Sequence, residues 1–242
     1  MHPFKYLCLL SVICSSACTR PELKAATNAP SLPVLIDEQD KRTTIEYDNN
    51  LNVSRIIGEN TIGVEYTNGR PGTITFNGKP VYLRYNTAGE LLEIDWDLVT
   101  KNNYDSLVYD SQRRISAIYH LGTFPTVEFL EWQQQNLVAV DEAYMADSVP
   151  KYFKTYLYQY DNQPSYYKSL RILGLLDRNK RFYLSAGNVV NTWFNREGAA
   201  MPLETFVMDV KYQSNGLRSS WKEEVWDDVN MVTSRQVSVK YR

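Results

Sequence analysis

The amino-acid sequence predicts a mainly β protein: an antiparallel meander of repeated β-hairpins that forms a curved or rolled sheet, with one short helical insert. Short runs of alternating apolar and polar residues recur along the chain, with polar turns between them, which is the pattern of half-buried strands. The chain also contains 18 tyrosines against 8 phenylalanines. Because tyrosine favours strands and suits a half-buried sheet face, this excess supports the same fold class.

Each predicted hairpin consists of an alternating run that ends in an aromatic residue, then a polar turn, then a second run. The aromatic residues that enter the turns recur at intervals of roughly 20 residues, or about two strands and two turns per unit. They are Tyr47, Tyr66, Tyr85, Tyr109 and Trp132. Polar pairs such as Asn68-Gly69 tolerate the positive φ that tight hairpins require.

One segment departs from this two-residue period. Between Ser165 and Leu176 the apolar residues lie at positions 166, 170, 173 and 176, close to helical spacing, and Pro164 stands where a helix can begin. We therefore predict a helical insert at about residues 164–177 that covers one sheet face or plugs one end of the sheet. The following residues, 177–200, are predicted to be a long connection.

The first residues have the composition of an export signal. Lys5 precedes an apolar stretch, Tyr6–Ile13, that is too short to span a bilayer, and small residues then lead to Cys18. The segment Ser15-Ser16-Ala17-Cys18 resembles the lipobox of bacterial lipoproteins. The resemblance implies cleavage after residue 17 and acylation of Cys18, which would hold the chain on a membrane. Thr19, in place of aspartate, implies sorting to the outer membrane, on either its periplasmic or its outer face.

The distribution of cysteines favours acylation over the alternative, an ordinary secretory signal with an incidental cysteine. The chain has three cysteines, Cys8, Cys14 and Cys18, and none after them. An exported protein without disulfides has no folding reason to keep a cysteine at its cleavage point. The predicted organisation is therefore a signal peptide at 1–17, a lipidated N-terminus and flexible proline-containing tether at 18–40, and a β domain at 41–242.

Several turns carry the dipeptide of YD-type repeats. It occurs as Tyr47-Asp48, Tyr109-Asp110 and Tyr160-Asp161, and Ile115 follows Arg113-Arg114 as in the parent pattern. Together with the lipobox, these repeats resemble a Bacteroidetes lipoprotein family of unknown function with degenerate YD-like (Rhs-like) β-hairpin repeats, over roughly residues 40–242. The resemblance implies a mainly antiparallel β-structure with no established enzymatic role.

Composition excludes several classes of function. The formal net charge is −2 and the two signs are scattered, so nucleic acid is not an expected partner. Beyond the predicted signal peptide the one histidine is His120, which we predict to be a surface or turn residue. The sequence has no nucleophile elbow, phosphate loop or dinucleotide fingerprint. We therefore predict no catalytic, metal-binding or cofactor-binding residues.

Aromatic residues provide the candidate binding surface, which consists of Tyr156, Tyr158, Tyr160, Trp193, Trp221 and Trp226. Strand alternation places the three tyrosines on one face. If that face is exposed, it can stack on sugar rings or on a protein, whereas a buried face is part of the core. The sequence leaves both alternatives open.

We therefore expect a non-enzymatic envelope lipoprotein that binds a glycan or protein partner through one sheet face. The first alternative is a carbohydrate-active hydrolase that uses the C-terminal carboxylates Glu223, Glu224, Asp227 and Asp228. Neighbouring residues of a strand point to opposite faces, which argues against a ready acid/base pair there. The second alternative is a transmembrane β-barrel, which the polar average composition disfavours, with a mean hydropathy of −0.41.

Overall fold

The computed structural model describes residues 31–97, 102–146, 149–197, 202–227 and 230–242. In this part of the chain sixteen strands pair antiparallel, each with its neighbours in sequence, and the first strand pairs with the last. The predicted antiparallel meander is confirmed, and it closes into a barrel instead of remaining an open curved sheet. The predicted signal peptide and Cys18 lie outside the described residues.

The strands are β1 (Pro33–Glu38), β2 (Lys41–Tyr47), β3 (Val53–Ile57), β4 (Thr61–Thr67), β5 (Arg70–Phe76), β6 (Lys79–Tyr85), β7 (Leu91–Asp95), β8 (Tyr104–Tyr109), β9 (Ile115–Leu121), β10 (Thr126–Gln133), β11 (Asn136–Ala146), β12 (Val149–Tyr160), β13 (Val189–Arg196), β14 (Leu203–Tyr212), β15 (Arg218–Asp227) and β16 (Asn230–Tyr241).

Because successive strands run in opposite directions, alternate connections meet at the same end of the barrel. The turns at 48–52, 86–90, 110–114 and 213–217 share an end with the β12–β13 connection, and we call it the insert end. The opposite end is the far end.

On one half of the barrel the interior is filled by apolar side chains. Along β2 to β7 the inward positions hold aliphatic residues that are almost fully buried, among them Ile45, Ile56, Ile74 and Ile94. The outward positions of the same strands carry charged residues, namely Glu46, Arg55, Glu65 and Arg84. The two-residue period in the sequence therefore separates a dry interior from a polar outer wall on this half of the barrel.

Four turns at the insert end share one hydrogen-bonding pattern. In each, the first and fifth residues are joined by a backbone hydrogen bond, and the fourth N–H donates to the first carbonyl. The fourth residue has a positive φ, and these residues are Leu51, Gly89, Arg113 and Gly216. In the first of the turns, Asp48 Oδ1 also accepts hydrogen bonds from two backbone N–H groups, those of Asn50 and Asn52, both at 2.9 Å. This bonding explains why aspartate follows tyrosine at such turns.

The aromatic residues that enter the turns join neighbouring hairpins. Six aromatics at strand ends, four of them turn-entry residues, donate a polar hydrogen to a backbone carbonyl of an earlier strand: Tyr47 to Pro33 at 2.8 Å, Tyr85 to Pro71 at 2.9 Å, Tyr109 to Leu91 at 2.8 Å, Trp132 to Ile115 at 2.7 Å, Tyr160 to Leu137 at 2.6 Å and Tyr241 to Arg218 at 2.6 Å. The rings pack partly buried against the core. The regular spacing of these aromatics therefore has a structural cause, since each ring fills the interior and its polar atom ties two hairpins together.

The predicted tether, 18–40, extends too far. Pro33–Glu38 forms β1, which pairs with both β2 and β16, and Ile36 is 2% exposed. Pro33 is compatible with this strand because it occupies the first position, where a missing N–H costs least. The folded domain thus includes Pro33 and does not begin at 41.

The helical insert is longer and less regular than predicted. Tyr166–Leu170 is a 3₁₀ helix, Arg171–Leu176 is an α-helix (α1), and Arg178–Leu184 is a second 3₁₀ helix. The predicted boundary at 177 is wrong, because Asp177 caps the second 3₁₀ helix by accepting a hydrogen bond from the N–H of Asn179. The predicted long connection at 177–200 contains β13. No helix in the described residues is long and apolar enough to cross a bilayer.

Candidate functional site

The predicted tyrosine ladder belongs to the interior and is not an exposed surface. Tyr158 is 5% exposed, and its ring contacts Phe182 of the insert at 6.1 Å. Tyr156 stacks on Phe194 at 4.8 Å, and both Tyr156 and Tyr160 are partly buried against the core. Of the two alternatives for these three tyrosines, the buried face applies, because closure of the barrel turns their face inward.

The three tryptophans of the predicted binding surface do not lie on one face of the sheet. Trp221 is 2% exposed and lies inside the barrel, 5.6 Å from the Tyr166 ring, so it is not part of a surface. Trp193 and Trp226 lie on the outer wall, where both pair with Glu204 across neighbouring strands. The structure therefore brings Trp193 and Trp226 together on the outer wall, where both are half-buried, whereas the other four members of the predicted set belong to the interior.

Glu223 and Glu224 do not form a catalytic pair. Glu223 points inward and accepts a hydrogen bond from Trp221 Nε1 at 2.8 Å, and it also pairs with Arg235. Glu224 points outward and pairs with Lys222, whose charge helps to lower the pKa of Glu224, chiefly through their hydrogen bond. The two acids thus lie on opposite faces of β15, and each is bound to a cation. Asp228 lies outside the described residues.

His120 is buried, so its prediction as a surface or turn residue is wrong. It lies on β9, is 5% exposed, and points inward like Ile118 two residues earlier. Its Nδ1 is 2.6 Å from Asp105 Oδ1 and its Nε2 is 2.7 Å from Glu128 Oε1. Burial opposes a charge on the imidazole, but the two carboxylates outweigh it and raise the pKa of His120.

The insert supplies a second cation to this buried cluster. Arg181 is 1% exposed and binds Glu128 through two hydrogen bonds, Nε–Oε2 at 2.5 Å and Nη2–Oε1 at 2.9 Å. Its Nη1 donates to the carbonyls of Gly174 and Leu175 at 2.5 and 2.9 Å. Burial by itself would raise the pKa of Glu128 and lower that of Arg181. The pairing outweighs burial, so the pKa of Glu128 is lowered to about 2 and that of Arg181 is raised. We call Asp105, His120, Glu128 and Arg181 the ion cluster.

The ion cluster joins the insert to the barrel wall, and its histidine is not available for catalysis. Both ring nitrogens of His120 are occupied by carboxylates, and when the imidazole is protonated two carboxylates of the cluster face two cations. The imidazole therefore has no free nitrogen to serve as a general base. A cavity of about 160 Å³ adjoins the ion cluster. It is lined by Trp96 and Asn103 and by Leu175, Leu176 and Arg178 of the insert.

Two larger clefts lie at the insert end, between the insert and the turns. The larger, of about 430 Å³, is lined by Tyr109, Arg113, Arg114, Ile115, Trp132, Gln135, Arg171, Leu175 and Leu184. The smaller, of about 310 Å³, is lined by Leu51, Asn52, Val53, Tyr66, Pro71, Ser169, Arg171, Ile172 and Leu175. Arg171 and Leu175 of the insert line both clefts. We call them the large cleft and the small cleft.

The aromatic rings of the large cleft are held in place by their own hydrogen bonds. Tyr109 donates to the carbonyl of Leu91 and Trp132 to that of Ile115, and the guanidinium of Arg114 lies 5.9 Å from the Trp132 ring centre. Sequence reasoning recognised both aromatics as turn residues but missed the cleft. The cleft exists only because the insert, far along the chain, packs beside these turns.

Comparison with known proteins gives weak structural similarities only. No protein-family model matches the chain, and no curated protein matches it either. Among solved structures, a porin-like protein from Bacteroides uniformis aligns with 86% of this chain and 94% of its own at 11% identity and a TM-score of 0.48. The TcdB2-TccC3-Cdc42 structure aligns with 84% of this chain and 12% of its own at 11% identity and a TM-score of 0.34. At these scores neither similarity assigns a function.

Proposed function

We propose that this protein is a non-enzymatic, lipid-anchored protein of the cell envelope, of the YD-like repeat type, that binds a glycan at the insert end of its barrel. The lipobox-like Ser15-Ser16-Ala17-Cys18 supports the anchor. About fifteen residues then separate Cys18 from the first strand at Pro33, enough to hold the barrel away from the lipid surface.

One observation carries the binding proposal: the large cleft combines volume, aromatic rings and hydrogen-bonding groups. Its volume of about 430 Å³ falls in the range of small-ligand sites. Tyr109 and Trp132 offer ring surface for stacking against a sugar, and Gln135 offers an amide for its hydroxyl groups. Because both rings are already fixed by hydrogen bonds, little side-chain entropy is lost on binding.

A cleft-filling substitution tests this proposal. Gln135 is exposed and lines the large cleft, so Gln135→Trp should obstruct the cleft without disturbing the core. We expect the purified protein in detergent to bind specific glycans on an array, and Gln135→Trp to abolish that binding. Gln112→Trp is the matched control, since Gln112 is exposed in a turn of the same end and lines neither cleft. An array without hits, or equal binding by both variants, contradicts the proposal.

The anchor has its own test. Cys18→Ala should release the protein from the membrane fraction, and mass spectrometry of the native protein should show an acylated Cys18 at its amino terminus. An unmodified amino terminus, or a Cys18→Ala variant that still sediments with vesicles, contradicts the anchored assignment.

A specific observation also favours a second candidate function, protein binding on the outer wall. On β9 to β12 the outward residues Ala117, Val127 and Ala143 form a separate apolar cluster. Phe129 packs against it, and Tyr152, which is 54% exposed, lies 6.0 Å from the Phe129 ring. A photo-crosslinking residue at position 152 should then yield one adduct of defined mass in intact cells. The same residue at Tyr82, an exposed aromatic on the polar half of the wall, should yield none.

A further inference from the structure

The two clefts at the insert end are positively charged although the protein is acidic. Among the described residues, the lining of the large cleft contains three arginines, Arg113, Arg114 and Arg171, and no carboxylate-bearing residue. The small cleft shares Arg171, and its lining likewise has no acidic residue in the described part of the chain. The formal net charge of the whole chain is −2. The positive clefts are therefore a local arrangement and not a consequence of the overall charge.

The three arginines are not equivalent. Arg113 pairs with Glu90 at 2.6 Å and Arg114 pairs with Asp110 at 2.6 Å, so acidic side chains outside the clefts already partly neutralise both charges. Arg171 is exposed, and in the described part of the chain no ion pair or hydrogen bond involves its side chain. Its guanidinium is thus the cation that remains available to a ligand.

Arg171 also occupies the position that connects the two clefts. It is the first residue of α1, and both it and Leu175, one helical turn later, line the large cleft on one side and the small cleft on the other. The large cleft offers Tyr109 and Trp132, and the small cleft offers Tyr66. Among the described side chains of the insert, Arg171 is therefore a free cation between two sites that each contain aromatic surface.

We infer that the ligand is an acidic oligosaccharide, whose carboxylate or sulfate group binds Arg171 while one sugar residue occupies each cleft. This inference rests on the proposed function and specifies its substrate class. A guanidinium has the planar fork that binds a carboxylate or sulfate through two parallel hydrogen bonds. Sugar rings stack on aromatic side chains, and linkage of two such rings makes binding of the second one effectively intramolecular.

Isothermal titration of the purified protein in detergent tests the inference. The probes are galacturonic acid, its dimer and longer oligomers, the same oligomers with their carboxyl groups reduced, and sulfated chondroitin oligomers. We expect an oligogalacturonide or a chondroitin sulfate to bind, the reduced oligomers to bind at least about tenfold more weakly, and the dimer to bind more tightly than the monomer. The comparison of uronate with sulfate identifies the source of the negative charge.

Substitutions at Arg171 supply the second readout. Arg171→Ala should weaken binding about tenfold or more, and Arg171→Lys should recover part of the loss, because lysine keeps the charge but not the fork. The matched control is Arg55→Ala, which removes a likewise exposed positive charge from the outer wall at β3. It should leave binding unchanged.

The outcomes separate this inference from the proposed function. If neutral and acidic oligomers bind equally, or if Arg171→Ala binds acidic oligomers like the wild type, the charge-specific inference is overturned while glycan binding stands. If the monomer binds as tightly as the longer oligomers, the two-cleft arrangement is overturned. If no glycan of either kind binds, the proposed function and this inference both fail.

Discussion

Replacing Arg181 with methionine should destabilise the barrel more than any other single exchange of a charged insert residue. Methionine keeps most of the apolar volume of the side chain but removes the cation that the insert contributes to the ion cluster. Asp105 and Glu128 would then share one imidazolium. The carbonyls of Gly174 and Leu175 would also lose the hydrogen bonds that they accept at 2.5 and 2.9 Å.

The burial of Arg181 and Glu128 determines how much unfolding free energy the variant should lose. Arg181 is 1% exposed and Glu128 is fully buried, so solvent cannot replace the missing partner. Breaking a buried ion pair by removing one member costs about 3 to 5 kcal/mol, a large part of the stability of a typical domain. Protonation of Glu128 limits this cost at low pH, because a neutral carboxyl no longer needs the cation. The loss should therefore shrink as the pH falls toward about 2.

Urea denaturation followed by tryptophan fluorescence measures the effect. Arg178→Met is the control, because the Arg178 side chain is 44% exposed and lies 3.7 Å from Glu128 Oε1. Because solvent reaches the Arg178 side chain and its Nε lies beyond hydrogen-bonding distance from the carboxylate, we expect its loss to cost no more than about 1 kcal/mol. The double variant Glu128→Gln/Arg181→Met should be more stable than Arg181→Met alone, since no buried charge is left unpaired. If Arg181→Met shifts the midpoint no more than Arg178→Met does, the assignment of the ion cluster as the link between insert and wall is wrong.

Three further predictions concern the pH range of stability, one strained turn and one aromatic hydrogen bond. The contribution of Glu128, whose pKa is lowered from 4.5 to about 2, is complete above pH 4.5 and is lost as the pH falls toward about 2. The contribution of His120, whose pKa is raised from 6.5, is complete below pH 6.5 and is lost as the pH rises through the raised value. The urea concentration at the unfolding midpoint should therefore be highest between pH 4.5 and pH 6.5. Leu51→Gly should stabilise the protein by about 0.5 to 1 kcal/mol in the same assay, because Leu51 has a φ of 65° and is 43% exposed; a lower midpoint would contradict the strain argument. Trp132→Phe should cost about 1 to 2 kcal/mol by leaving the Ile115 carbonyl without the hydrogen bond it accepts at 2.7 Å, and an unchanged midpoint would show that this bond is dispensable.

The fold class was predictable from the sequence because its determinants are local. Alternation in β2 to β7 specifies which side chains turn inward, and the polar residues of the turns adopt the conformations that hairpins require. The first strand was missed because Pro33 lies next to a proline-containing stretch that suggested a tether. Its pairing partner β16 lies at the other end of the chain, and local patterns carry no information about that contact.

The candidate site was much less predictable. His120 and Glu128 lie on the inward face of their strands, the same face as Ile118 and Leu130. The available signal in the sequence was therefore a polar residue in a row of otherwise apolar inward positions. Nothing local to these strands indicates that Arg181 would neutralise them. The large cleft presents the same difficulty, because it depends on how the insert packs beside turns that lie far from it in sequence.

The sequence by itself determined most of the strands, the hairpin turns, the presence of an insert and the absence of a recognisable catalytic motif, since each of these depends on residues within one or two turns of one another. Only the tertiary structure decided that the meander closes, and closure decided the rest. Once β1 pairs with β16, one face of every strand becomes an enclosed interior, and the tyrosine ladder and Trp221 become core. The insert then has one end against which to pack, and that packing buries the ion cluster and forms the two clefts.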